Sequence, residues 1–274
     1  MKKSKWLATL LVSVLALTGC GSKNDKNASE VLDAARKQMN ELSNYSMKME
    51  MKMGIKAEGM TMEIPVVVDA KIDAKSKTGK MTTTASMFGM ESTTEGYTQV
   101  VDGKTITYSK GNYEFDGEQV WTKETSEDET NYNEFVAITE FGTKLEKKKS
   151  DDKNADHYQV TISKEKMKEL MSESSSLMGD MDFESANIKN DVVLDIYVDK
   201  ESNYITKLSM DLKDVISMED TEVAMEISEC SLTFTFSDFD KVGTITIPED
   251  VVTSAIDQSD DWNYDDPEIT NPEI

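Results

Sequence analysis

The chain has 274 residues, with 53 acidic side chains against 30 lysines and arginines and a formal charge of −23. A chain so negative is repelled by phosphate backbones, which excludes nucleic acid as a partner class, and a single arginine, Arg36, leaves no set of planar forks for reading phosphates or carboxylates. The two cysteines, Cys20 and Cys230, allow one disulfide at most, so stability must come from an apolar core, which a chain of this length can build.

Met1 to Lys5 carry three lysines, and Trp6 to Leu17 follow as a 12-residue apolar run. A basic start, a short apolar stretch and small residues at its exit describe a secretory signal, and the run is shorter than the roughly 20 residues a membrane span needs. The box Leu17-Thr18-Gly19-Cys20 resembles the bacterial lipoprotein signal. The resemblance implies a signal peptide over 1–19 and a diacylglyceryl group on Cys20, the first mature residue. It also implies a chain anchored to the cell membrane on its extracytoplasmic face, in a Gram-positive cell. Ordinary cleavage near Gly19, leaving a free thiol, is the alternative. Loss of 1–19 removes Lys2, Lys3 and Lys5 and no acid, so −23 becomes −26. The body is therefore expected to stand off anionic head groups, and a lipidated Cys20 cannot pair with Cys230.

Residues 20–28 are small and polar and read as a tether. From Ser29 to Leu42 the spacing of Val31, Leu32, Ala35, Met39 and Leu42 predicts a helix, with Asn27 or Ser29 as cap. The period then drops to two. Met47, Met49, Met51, Met53 and Ile55 alternate with Lys48, Glu50 and Lys52, and after a Glu58-Gly59 turn Met62, Ile64, Val66, Val68, Ala70 and Ile72 continue the alternation. Pro65, which lacks a backbone donor, places that second strand at an edge or at a bulge.

Further strands are predicted over 80–88, 91–101, 104–109, 113–115 and 118–122, with turns at Asp102-Gly103, Lys110-Gly111-Asn112 and Asp116-Gly117. Phe135, Val136, Ile138 and Phe141 suggest a short helix; 144–149 and 157–162 read as a strand pair. Ser163 caps a helix carrying Met167, Leu170, Met171 and Met178 on one side. Strands follow at 191–199, 204–213, 221–236 and 242–247. In the third of these the apolar phase switches from Val223, Met225 and Ile227 to Leu232, Phe234 and Phe236, which predicts a bulge near Ser228-Glu229. Residues 249–274 hold nine acids and no lysine or arginine and read as a solvated tail, with the folded domain itself bounded at 29–253 and a disordered acidic segment at 254–274.

These elements give an α+β, mostly β fold: a single strongly curved antiparallel sheet, an unclosed barrel, with two or three helices packed on its concave face. Their order resembles the LolA/LppX-like lipid-handling lipoproteins and their uncharacterised Gram-positive relatives. The resemblance is carried by the lipobox, the 29–42 helix, the run from Thr105–Tyr108 to Trp121-Thr122-Lys123, and the late pair Leu194–Asp199 with Ile205–Leu208. The ending from Phe236-Ser237-Asp238-Phe239 to Ile247-Pro248-Glu249 adds to it. It implies a hydrophobic cavity for acyl chains, covered by helices.

Eighteen methionines are the oddest feature of the composition. A flexible thioether suits surfaces that must fit varied apolar ligands. Met47, Met49, Met51, Met53, Met62, Ile64, Met81 and Met87 are the candidate lining of a cavity; the alternative makes them core filler beneath a helix. Soft-metal binding lacks a histidine or cysteine partner among them. His157, the one histidine, could in principle activate Cys230, but Cys230 shares its face with Leu232, Phe234 and Phe236 and is expected to be buried and inert. The acidic runs lack the spacing of an EF-hand loop and read as a repelling surface. Tyr97, Tyr108, Tyr113 and Trp121 are expected to pack across hairpins. No cofactor, metal or catalytic residue is expected. The chain reads as an anchored lipoprotein binding a lipid or other hydrophobic ligand; the rival is a non-enzymatic protein with a filled core that engages another envelope protein.

Overall fold

The computed structural model describes residues 23–57, 59–115, 118–127, 134–173, 186–218 and 225–258. The first element is helix α1 (Lys23–Asn40), followed by strands β1 (Asn44–Ala57), β2 (Met60–Asp73), β3 (Thr78–Met87), β4 (Met90–Val101), β5 (Lys104–Phe115) and β6 (Glu118–Ser126). Helix α2 (Glu134–Ala137) runs into a 3-10 turn at Ile138–Glu140, and β7 (Lys144–Lys148), β8 (Ala155–Ile162) and α3 (Lys164–Glu173) come next. The last third holds β9 (Ala186–Ile188), β10 (Val192–Asp199), β11 (Ile205–Asp211), β12 (Ile216–Met218), β13 (Met225–Ser237), α4 (Glu249–Ser254) and β14 (Ile256–Asp257).

Twelve strands form one sheet in the order β14-β6-β5-β4-β3-β2-β1-β13-β11-β10-β8-β7, and β9 and β12 pair separately. Every pairing in the large sheet is antiparallel except β14 on β6. The sheet is curved, but β7 and β14 do not meet, so the barrel stays open, as the alternating pattern led us to expect. Period-two alternation does the sorting, because each strand sends one set of side chains to the inner face and the other to water. On the inner face Met47 lies opposite Phe236, Met49 opposite Phe234 and Met51 opposite Leu232, and the row passes on through Leu208, Ile196 and Tyr158. Ala28, Leu32, Ala35 and Met39 of α1, Val136 of α2 and Met167 of α3 join the same buried cluster. Helices α1, α2 and α3 therefore sit on the face that holds the core. Ser163 caps α3, with the Lys166 N–H donating to its Oγ at 3.3 Å.

The predicted bulge is present. Between β1 and β13 the register passes from Gly54 opposite Glu229 to Ile55 opposite Ile227, so Ser228 is the extra residue. Pro65 stands where β2 leaves β3: it faces Lys52 on β1, while the pairing with β3 begins only at Val66 opposite Ala85. A residue with no N–H to give is placed where one neighbour is missing.

Four expectations are corrected. Helix α1 starts at Lys23 rather than Ser29 and so takes up part of the segment read as a tether. Lys110-Gly111-Asn112 is no turn: β5 runs through it as one strand, with its register to β6 shifted between Lys110 and Glu114. Residues 242–247 do not form a strand; they are tied down by side chains instead, the Val242 N–H donating to Asn44 Oδ1 at 2.8 Å. Asp73 holds the same segment. Burial alone would push its pKa up, but hydrogen bonds from Ser76, Ile245 and Lys75 outweigh that and keep the carboxyl below the usual range. Finally, residues 249–258 are not tail. They form α4 and β14, with Val251 buried against Tyr97 and Tyr108 on the outer face of the sheet. Cys20, Thr221–Ala224, Met178 and residues 259–274 lie outside the described residues.

Candidate functional site

The registers bring the predicted lining residues onto one face. Met47 aligns with Ala70, and Ala70 with Met81; Met51 aligns with Val66, and Val66 with Ala85; Met53 lies opposite Ile64 and Ile55 opposite Met62. Burial, however, divides them. Met47, Met49 and Met51 are closed into the main core, Met49 at 8% exposure. Met53, Met62, Ile64 and Met81 are half-buried, and Met87 is 46% exposed. The first three thus fill the core, which is the reading the sequence left open against cavity lining. The half-buried group, with Val66, Val68 and Ala85 beside it, makes an apolar strip along the inner face of β1, β2 and β3.

This strip forms because β2 and β3 change character along their length. Near β1 the inner positions are large and apolar; across β3 and β4 they become Thr83, Thr94, Ser92 and Gly96, small side chains that fill little volume. Gly96 is held small by its neighbours, since a Cβ there would stand 3.1 Å from Met81 Cγ and 3.3 Å from the Tyr108 carbonyl. The most extensive contacts of α1 are with β7, β11 and α2, on the other half of the sheet. Large apolar residues on one flank and small side chains on the other can take up an elongated apolar molecule.

Other arrangements considered from the sequence come apart. Cys230 faces inward opposite Met53 and is buried, and burial pushes its thiol up to about 11. His157 is on the outer face, stacked on Tyr197 at 4.5 Å with its Nε2 2.6 Å from Asp195 Oδ1, so the sheet separates the two. No group of His, Cys, Asp and Glu able to hold a metal occurs among the described residues. Tyr97 and Trp121 pack with ring centroids 5.8 Å apart, as expected for cross-hairpin aromatics, and Tyr97 lies opposite Tyr108; the Tyr113 side chain is outside the described residues. An outer-face recess of about 530 Å³ is lined by Ser46, Lys71, Lys80 and Asp238, among others, with both charge signs present. The sequence places Met60 and Met90 with the other methionines of the first strands, on the concave side of a curved sheet, but does not single out Phe88 with them. Their signal was positional: all three flank the turns of neighbouring hairpins.

Among solved structures the chain is similar to LprF from Mycobacterium bovis, at 11% identity and a TM-score of 0.42 over 81% of this chain and 96% of that one. It is also similar to a beta-barrel-like DUF1849 protein from Brucella abortus, at 10% identity and a TM-score of 0.26 over 72% and 98%. A third likeness is to a DUF1329 family protein from Desulfovibrio piger, at 10% identity and a TM-score of 0.22 over 82% and 96%. No curated protein matches it. Residues 27–256 match the family described as "Family of unknown function (DUF6612)". The match spans nearly the whole folded body, and the chain belongs to the DUF6612 family.

Proposed function

We propose that this protein is an extracytoplasmic lipoprotein, anchored to the cell membrane through a diacylglyceryl group on Cys20, and that it binds a lipid or another apolar molecule along the inner face of β1–β3. It works as a binder, not as an enzyme. The observation that carries the reading is the half-buried strip of Met53, Met62, Ile64, Val66 and Met81, aligned by register and continuous with the closed core. Each methylene of a ligand that takes the place of water there contributes about 0.8 kcal/mol. Unbranched methionines let the strip adjust to chains of different shape. Two acyl chains on the anchor hold a protein stably where one does not, so the acidic body remains at the membrane despite its charge.

Ile64→Glu tests the reading directly. The site is half-buried, so the fold tolerates the change, but an unpaired carboxylate in the strip must stay hydrated and competes with an apolar ligand. Titration with a monomeric fluorescent acyl lipid is expected to saturate in the parent protein and to weaken at least tenfold in the variant. Equal binding by both proteins would contradict the proposed location.

A further inference from the structure

The strip does not end in the interior. Met60 pairs with Ala57 at the close of the β1–β2 hairpin, and Met87 with Met90 at the close of the β3–β4 hairpin. By strand alternation all three methionines lie on the inner face, in line with Met62, Ile64 and Ala85. Exposure rises along this line: Met60 is 70% exposed, Met90 69%, and Phe88 at the turn itself 74%. Four of the eight exposed large apolar side chains of the described residues therefore gather on two neighbouring hairpins, and the other four are single valines or isoleucines elsewhere. Single exposed apolar residues need no explanation, but a cluster does.

The turn adds a second observation. Phe88 has φ of +54° and Gly89 of +74°, the two-residue hairpin geometry in which asparagine and glycine are at ease. A bulky residue at positive φ is an outlier, and here it holds a benzyl group out in water. Among the described residues none covers it, and it stays 74% exposed.

We infer that the hairpin end is the loading mouth of the strip and that its occupant is the surface of a lipid bilayer, into which Phe88, Met87, Met90 and Met60 dip. The inference rests on the apolar-ligand reading above. A bilayer fits better than a protein partner for three reasons. The segment from Ser86 to Met90 carries no charge, whereas the body around it is strongly acidic, so this is the part of the surface that head groups do not repel. The apolar line is unbroken from mouth to core, so an acyl chain could slide in without crossing water. The chain outside the structure is also short: Gly21 and Ser22 alone separate Cys20 from α1, a reach of about 10 Å from an acylated cysteine. The folded body is therefore held within that short reach of the bilayer.

The test uses the chain from Gly21 onward, which contains every described residue and no acyl anchor, with vesicles of phosphatidylcholine. In Phe88→Trp the tryptophan emission is expected to shift to the blue on vesicles and to be quenched by brominated acyl chains. Phe88→Asn suits the turn better than the parent residue, so its Tm should be equal or higher while vesicle partitioning falls about tenfold. An unshifted tryptophan signal, or undiminished partitioning of Phe88→Asn, overturns the mouth while leaving the strip standing. So does a concentration-dependent dimer that Phe88→Asn abolishes, because the tips would then bind a second copy. Failure of the parent chain to take up monomeric lipid removes the ligand reading and the mouth with it.

Discussion

Met49→Ala is expected to lower the stability of the fold by about 2–4 kcal/mol, the range seen when a long apolar side chain is deleted from a core that cannot collapse around the gap. Met49 is closed between Phe234 and Val68 by the registers on its two sides and belongs to the main core cluster. Met62→Ala, on the same face but half-buried, should cost well under half as much, because water already reaches part of the side chain. Urea unfolding of both variants checks the division between core and strip. Equal losses would mean that the inner face is uniformly filled, and the strip would then have no room for a ligand.

The second large effect is at Gly111. Its φ is +122°, and a Cβ placed there would stand 2.4 Å from the Thr93 carbonyl oxygen and 3.0 Å from Thr94 Cα. Both neighbours are backbone of β4 and cannot turn aside. Gly111→Ala therefore combines backbone strain with overpacking, each of order 1–3 kcal/mol, and should cost about 3 kcal/mol or more. At roughly 2–4 °C per kcal/mol for a domain of this size, the Tm falls by about 10 °C. Gly103→Ala is the matched control: φ is +80°, but nothing lies within 4 Å of the added atom, so the strain acts alone. A Tm change at Gly111 no larger than at Gly103 would show that β4 and β5 do not approach so closely.

Gly111 also shows where the sequence misleads. Lysine, glycine and asparagine in succession are the composition of a hairpin turn, and here they sit inside a strand, where the glycine permits an irregular register and a close backbone approach. Residues 242–247 alternate like a strand, but their hydrogen-bond partners are Asn44 and Asp73 side chains, which no local pattern reveals. The acidic composition of 249–258 hid Val251, whose buried side chain packs with Ile247 and Ala255 on Tyr97 and Tyr108, while β14 pairs with β6. By contrast, the Ser228 bulge was legible, because a one-residue slip reverses which side chains face the core and the change of apolar phase records it. The strip was legible only in outline. Period two places Met49 and Ile64 on apolar faces, but which of them is closed off depends on strands far along the chain, and methionine suits either environment. The hairpin mouth was hidden further still, since Phe88 matters through its exposure and its backbone angle.

The most direct test of the central claim is native mass spectrometry of residues 21–274 purified from the producing cell type, followed by organic extraction. The account predicts a stoichiometric apolar adduct that is released into organic solvent and exchanges when lipid is added. A clean apo mass, together with no binding of fluorescent lipid, would contradict it.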